Sequence, residues 1–176
     1  MANEDKKLTH SLHSTTELLE RYESGKRGFL GVELPGANLQ GADLVKVLLW
    51  KANLQGANLS HANLKQAHLF ANLSNSNLSY IDLTSAKLVY ADLKASDLTQ
   101  AKLFKTNLRG ADLRGANLNE AKFIYADLSE ADLRGTSLKG TMFYKVNLLR
   151  ANFRETDLSQ ALILGTELWQ TMTFPL

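Results

Sequence analysis

The chain has 176 residues, with 20 Lys and Arg against 18 Asp and Glu, four His and no Cys. This length suits one domain, the near balance of charge offers no strong field for nucleic acid, and the lack of cysteine excludes disulfides, thiolate chemistry and Cys-based zinc sites. No apolar run approaches the roughly 18 residues that span a bilayer, and the opening MANEDKKLTH leads into no apolar leader segment, so a cytoplasmic protein is expected.

Residues 1–27 have their own grammar. Ser14-Thr15-Thr16-Glu17 has the form of a capping box, Leu18, Leu19 and Tyr22 fall on one helical face, and Gly25 is a natural stop. One short amphipathic helix is predicted, lying as a cap over whatever follows.

From Val32 onward a bulky apolar residue recurs at every fifth position, a period that fits neither the 3.6 of a helix nor the 2 of a strand. There are 28 such centres, of which 24 are Leu and the others Phe123, Phe143, Phe153 and Ile163. Two positions before the centre stands a small residue, Ala in 17 of 28 cases, and residues two apart in extended chain face the same way. The next small residue comes three positions after the centre, so the alternation breaks and the chain must turn at the two residues between. Each pentad is therefore a short strand plus a corner. Glycine is frequent at the second corner position, as at Gly110, Gly115 and Gly135, where a type II turn needs positive φ; Leu34-Pro35-Gly36-Ala37 carries the full signature. A chain that turns inward every five residues winds into a coil whose successive turns pair as parallel ladders. One residue is missing between Leu69 and Leu73, which predicts a distorted turn at Phe70.

The A-(D/N)-L-x-x units, such as Ala111-Asp112-Leu113-Arg114-Gly115 and Ala37-Asn38-Leu39-Gln40-Gly41, closely resemble the pentapeptide-repeat family over about four fifths of the chain. The resemblance implies an all-β solenoid, a right-handed quadrilateral parallel β-helix with four pentads per coil. It implies about seven coils, a height of about 34 Å and a short N-terminal capping helix. The organisation expected is a capping helix and tail over 1–27, the β-helix over 28–170 and a C-terminal tail over 171–176. One characterised group of this family resembles DNA and inhibits gyrase.

With four pentads per coil, residues 20 apart stack. One column of first-corner positions reads Lys94, Arg114, Arg134, Arg154, beside Asp92, Asp112 and Asp132. An anion-binding strip, or a metal or acid/base pair of carboxylates, is the sharper reading; the reading favoured is that Asp bonds the local backbone and the two ladders neutralise each other. His10, His13, His61 and His68 share no metal or triad spacing, and no phosphate loop or nucleophile elbow occurs. No enzyme, cofactor or metal is expected.

A different column breaks the polar rule. Its first-corner residues are Phe104, Ile124, Tyr144 and Leu164, with Met142 and Leu162 nearby and Leu149 and Trp169 at the equivalent corner of the adjoining face. A stacked apolar patch marks an interface unless the tail 171–176 folds back over it. The function expected is a non-enzymatic protein-interaction or scaffold module, binding a protein partner or a second copy. The second reading, a DNA-mimic gyrase-binding protein, needs a strongly negative surface that this chain lacks.

Overall fold

The computed structural model describes residues 12, 14–168 and 171. Helix α1 spans Thr15–Glu23, and the Ser14 hydroxyl accepts from the Glu17 amide at its N-terminus. The reciprocal half of the box is absent. The Glu17 carboxylate instead pairs with Arg21 one turn on, because an i, i+4 ion pair satisfies it better than one more amide at an exposed end. Leu18 is fully buried, and the Tyr22 hydroxyl donates to the Val45 carbonyl at 2.9 Å, which locks the helix over the first coil.

The rest is a right-handed quadrilateral β-helix. Its ladder begins at Gly28, which bridges Leu48 in parallel, and continues down the four faces to Asp132 with Asn152. Among the described residues one face alone forms longer strands: β1 (Lys102–Phe104), β2 (Lys122–Ile124), β3 (Met142–Tyr144) and β4 (Leu162–Leu164), paired in that order and in parallel. A 3-10 turn at Leu158–Gln160 precedes β4.

Every centre from Phe29 to Phe153 is buried, and the small residues between them are buried too, Ala42 only in part, because a larger side chain there would collide across the narrow interior. Phe123 stacks on Phe143 with ring centroids 5.0 Å apart, and Phe143 meets Phe153 edge-on at 6.2 Å. Where Ser or Thr replaces Ala, its hydroxyl finds a backbone carbonyl: Ser96 donates to Leu93 at 2.6 Å and Thr141 to Leu118 at 2.7 Å. No buried side-chain polar atom among the described residues lacks a partner.

At the corners, the small residue's amide commonly donates back to the preceding centre, as Ala37 to Leu34 at 3.2 Å, and the second corner residue has positive φ. Among the described residues, seventeen other than glycine adopt this left-handed conformation against nine corner glycines, so the coil imposes it despite about 1–2 kcal/mol of strain each. Between Leu69 and Leu73 there is no left-handed residue, and register there shifts from 20 to 19, as in Asn53 with Asn72. The missing residue is thus the second corner position itself.

Gly110 has a further constraint, since a Cβ there would lie 2.3 Å from the Tyr90 ring, whereas nothing lies within 4 Å at Gly115. Gly115→Ala is expected to lower the melting temperature by about 2–4 °C through left-handed strain alone. Gly110→Ala should cost measurably more, and the excess should vanish in a Tyr90→Ala background, as read by thermal melts of the four variants.

Candidate functional site

Phe104, Ile124, Tyr144 and Leu164 end the four strands in register, Phe104 with Ile124, Ile124 with Tyr144 and Tyr144 with Leu164. Each follows an inward centre in extended chain, so each points away from the core. Phe104 and Leu164 are exposed and the two between are half-buried. Met142 and Leu162 stand two residues earlier on the same outer wall, half-buried and exposed.

The structure adds Tyr125 to this column. Its ring, 47% exposed, meets Phe104 edge-on at 5.9 Å and Tyr144 at 5.6 Å, bridging rungs that the column alone leaves apart. Lys105 sits over Phe104 at 5.2 Å, and Lys145 over Tyr144 at 5.5 Å and Tyr125 at 5.9 Å. These cation–π contacts place two ammonium groups at the edge of the patch. The signal was present one residue further on, where the second-corner column reads Lys105, Tyr125, Lys145.

Leu149, 43% exposed, lies at the next corner of the coil. A recess of about 440 Å³ lined by Lys145, Asn147, Leu149, Gly165 and Glu167 separates it from the column. The structure therefore unites four of the sequence-derived residues and sets Leu149 across a face from them. Trp169 lies outside the described residues, as does the tail beyond Thr171.

The cation ladder resolves into ion pairs. Arg114 binds Asp112 with two bonds of 2.8 and 2.6 Å, Arg134 reaches Asp132 at 2.7 Å, and Lys94 lies 3.0 Å from Asp92. The same carboxylates accept from the amide two residues on, as Asp92 from Lys94 at 3.1 Å. The Arg114 hydrogen bond, opposed by partial burial, holds the Asp112 carboxyl below its ordinary value, and the Asp112 bond raises Arg114 in turn. Cations so committed offer little to an external anion; Arg154, beside Asn152 rather than Asp, makes no ion pair among the described residues. His61 stacks flat on Tyr80 at 4.6 Å, and no group of His, Asp or Glu among the described residues could gather around a metal. No helix among them is long and apolar enough to cross a membrane.

A filled solenoid whose variable side chains all stand on outer walls is a repeat protein that can act only through its surface. The Pentapeptide repeats profile matches in eight copies, over residues 33–69, 70–103, 101–140 and 121–160, and the chain belongs to that family. Family members in general serve as structural or interaction modules. Among solved structures the chain is similar to HetL, a pentapeptide repeat protein involved in heterocyst differentiation regulation from the cyanobacterium Nostoc sp. strain PCC 7120. Identity is 26% over 90% of this chain and 94% of that one, with a TM-score of 0.59. It is also similar to a trypsin-treated form of QnrB1, a plasmid-mediated fluoroquinolone resistance protein. There identity is 18% over 84% of this chain and 78% of that one, with a TM-score of 0.57, a likeness of fold alone. A search of curated protein sequences found no match.

Proposed function

We propose that the protein is a non-enzymatic interaction module, working in the cytoplasm, that binds a protein partner or a second copy of itself through the column Phe104, Ile124, Tyr144 and Leu164. Tyr125 extends the surface and Leu149 flanks it; Trp169 joins this reading on its repeat position alone. The observation that carries this reading is the alignment of four successive outward apolar residues at one corner. Isolated apolar residues on a surface need no explanation, whereas a contiguous stack is stable when a partner covers it. In this reading residues 1–27 close the first rung, 28–170 form the coil and 171–176 are a tail.

The double variant Ile124→Glu, Tyr144→Glu tests it, because neither side chain enters the core. Sedimentation over a concentration series, with and without a native-source extract, should show association for wild type and its loss in the variant, with the melting temperature unchanged. A wild type that stays monomeric and captures nothing, or a variant that unfolds because the tail was packed there, would replace the interface with tail cover. The second reading, gyrase binding by DNA mimicry, is disfavoured by a net charge of +2 and a face bearing a ladder of cations. Strong inhibition in a supercoiling assay would reverse this ranking.

A further inference from the structure

The coil that lacks a corner residue carries a second exposed apolar surface, at the next corner from the column above and nearer the N-terminal end of the coil. Leu30, Trp50, Phe70 and Val89 occupy the same first-corner column on four successive rungs, with Leu30 73%, Trp50 47% and Phe70 37% exposed. Trp50 stacks on His68 at 6.5 Å and meets Phe70 edge-on at 6.2 Å, and His68 meets Phe70 edge-on at 6.4 Å. Burial, reinforced by Lys87, lowers the His68 value, which favours the neutral imidazole beside the two rings.

The missing residue leaves a gap in the backbone as well. From Trp50 to Arg154, each first-corner carbonyl accepts from the second-corner amide of the rung before it, as Trp50 from Gly31 at 2.7 Å and Phe70 from Lys51 at 2.8 Å. Val89 alone among them has no such donor, because the residue that would supply it is absent. The carbonyl of Val89, a half-buried residue one rung below Phe70, is therefore left without a backbone donor.

On the wall that leads into this corner the charge has one sign, while on the wall beyond it Glu33 accepts from Asn53 at 2.8 Å and Asp92 is paired with Lys94 at 3.0 Å. Lys51 follows Trp50 and Lys87 is the ladder partner of His68; both are exposed, and neither pairs with a carboxylate among the described residues. In the column Leu48, His68, Lys87, Asn107, Asp127, the first carboxylate comes two rungs below Lys87. A second copy is a poor occupant: the lower apolar column is itself edged by Lys102, Lys105, Lys122 and Lys145, so either pairing sets lysine against lysine. Single-stranded nucleic acid would want free ring faces and a longer run of cations, whereas here the rings pack on one another and Leu30, Leu48 and Val89 are aliphatic.

We propose that this corner, formed by Trp50, His68, Phe70, Lys51, Lys87 and the Val89 carbonyl, docks an extended segment of a partner protein in which carboxylates alternate with apolar or aromatic side chains. One apolar side chain packs on Trp50 and Phe70, a backbone N–H of the segment donates to the Val89 carbonyl, and flanking carboxylates meet Lys51 and Lys87. The site is independent of the column proposed above.

Fluorescence polarisation with a panel of short labelled peptides alternating glutamate with phenylalanine or leucine tests this. Members of the panel should bind wild type, and Trp50→Ala and Lys87→Glu should each weaken binding by about tenfold or more. Lys87→Glu should also gain affinity for the peptides rewritten with lysine for glutamate, a swap that a misfolded variant would not show. Ile124→Glu should leave binding unchanged, which separates this site from the lower column. The proposal is overturned if no member of the panel binds, if lysine peptides bind wild type equally well, or if Trp50→Ala binds like wild type. Tighter binding of an oligothymidine probe, or self-association abolished by Trp50→Ala, would overturn it in favour of nucleic acid or a second copy.

Discussion

Leu113→Asp is expected to abolish folding, while Arg114→Ser, one residue away, should be nearly silent. Leu113 is wholly buried between rungs, with its amide bonded to the Asp132 carbonyl at 2.8 Å. The substitution forfeits about 1.5–3 kcal/mol of apolar burial and adds several kcal/mol for a carboxylate with no partner in the core. That sum rivals the whole stability of a domain, about 5–15 kcal/mol. Protonating the new carboxyl would soften the penalty but still leave a buried polar group without a partner. Arg114 is instead an exposed side chain whose ion pair with Asp112 is screened by solvent and contributes little. Once it is gone, Asp112 keeps the bond from the backbone amide of residue 114 and has Lys94 at 3.9 Å. The Asp112 contribution has a definite pH sense: with its folded value depressed, stabilisation is present above the ordinary value of 3.8 and lost as pH falls through the lower folded one. Thermal melts at neutral pH decide the ranking, and the reverse order would mean that inward and outward positions had been exchanged.

Deleting residues 1–24 is expected to make the protein aggregate, with the far-UV β signal retained in whatever stays in solution. The deletion removes Leu18 from the core and the Tyr22 bond to Val45, uncovering a first rung whose centres Phe29, Leu34, Leu39 and Leu44 are otherwise buried. A solenoid end presents unpaired strand edges together with its hydrophobic interior, which together form a template for association. The lower coils are held by contacts to neighbouring rungs and so keep their structure. The milder variant Leu18→Ala should lose about 2–5 kcal/mol without exposing the whole rung, and light scattering during the melt distinguishes the two. A truncated chain that is monomeric and melts like the full one would show that α1 is no cap.

The coil itself was legible residue by residue because every pentad meets the same surroundings. Leu at the centre, Ala two before it and Asn or Asp between them each do in one rung what they do in the next, so local pattern and global fold coincide. The same regularity exposed the column Phe104, Ile124, Tyr144, Leu164, since strict spacing by 20 is visible in one dimension. Side chains on the outer walls obey no such rule, for their conformations are set by neighbours on adjacent rungs about 4.8 Å away rather than by their own pentad. The sequence favoured a Lys94, Arg114 and Arg134 ladder turned onto Asp92, Asp112 and Asp132, as the structure has it, but only the folded chain decided that Glu17 chooses Arg21 and that Tyr125 leans between Phe104 and Tyr144. The aromatic corner was hidden for a related reason. Trp50, His68 and Phe70 meet across two rungs, but one lost residue shortens the next register to 19, so Phe70 stacks over Val89 while the carbonyl beside it loses its donor.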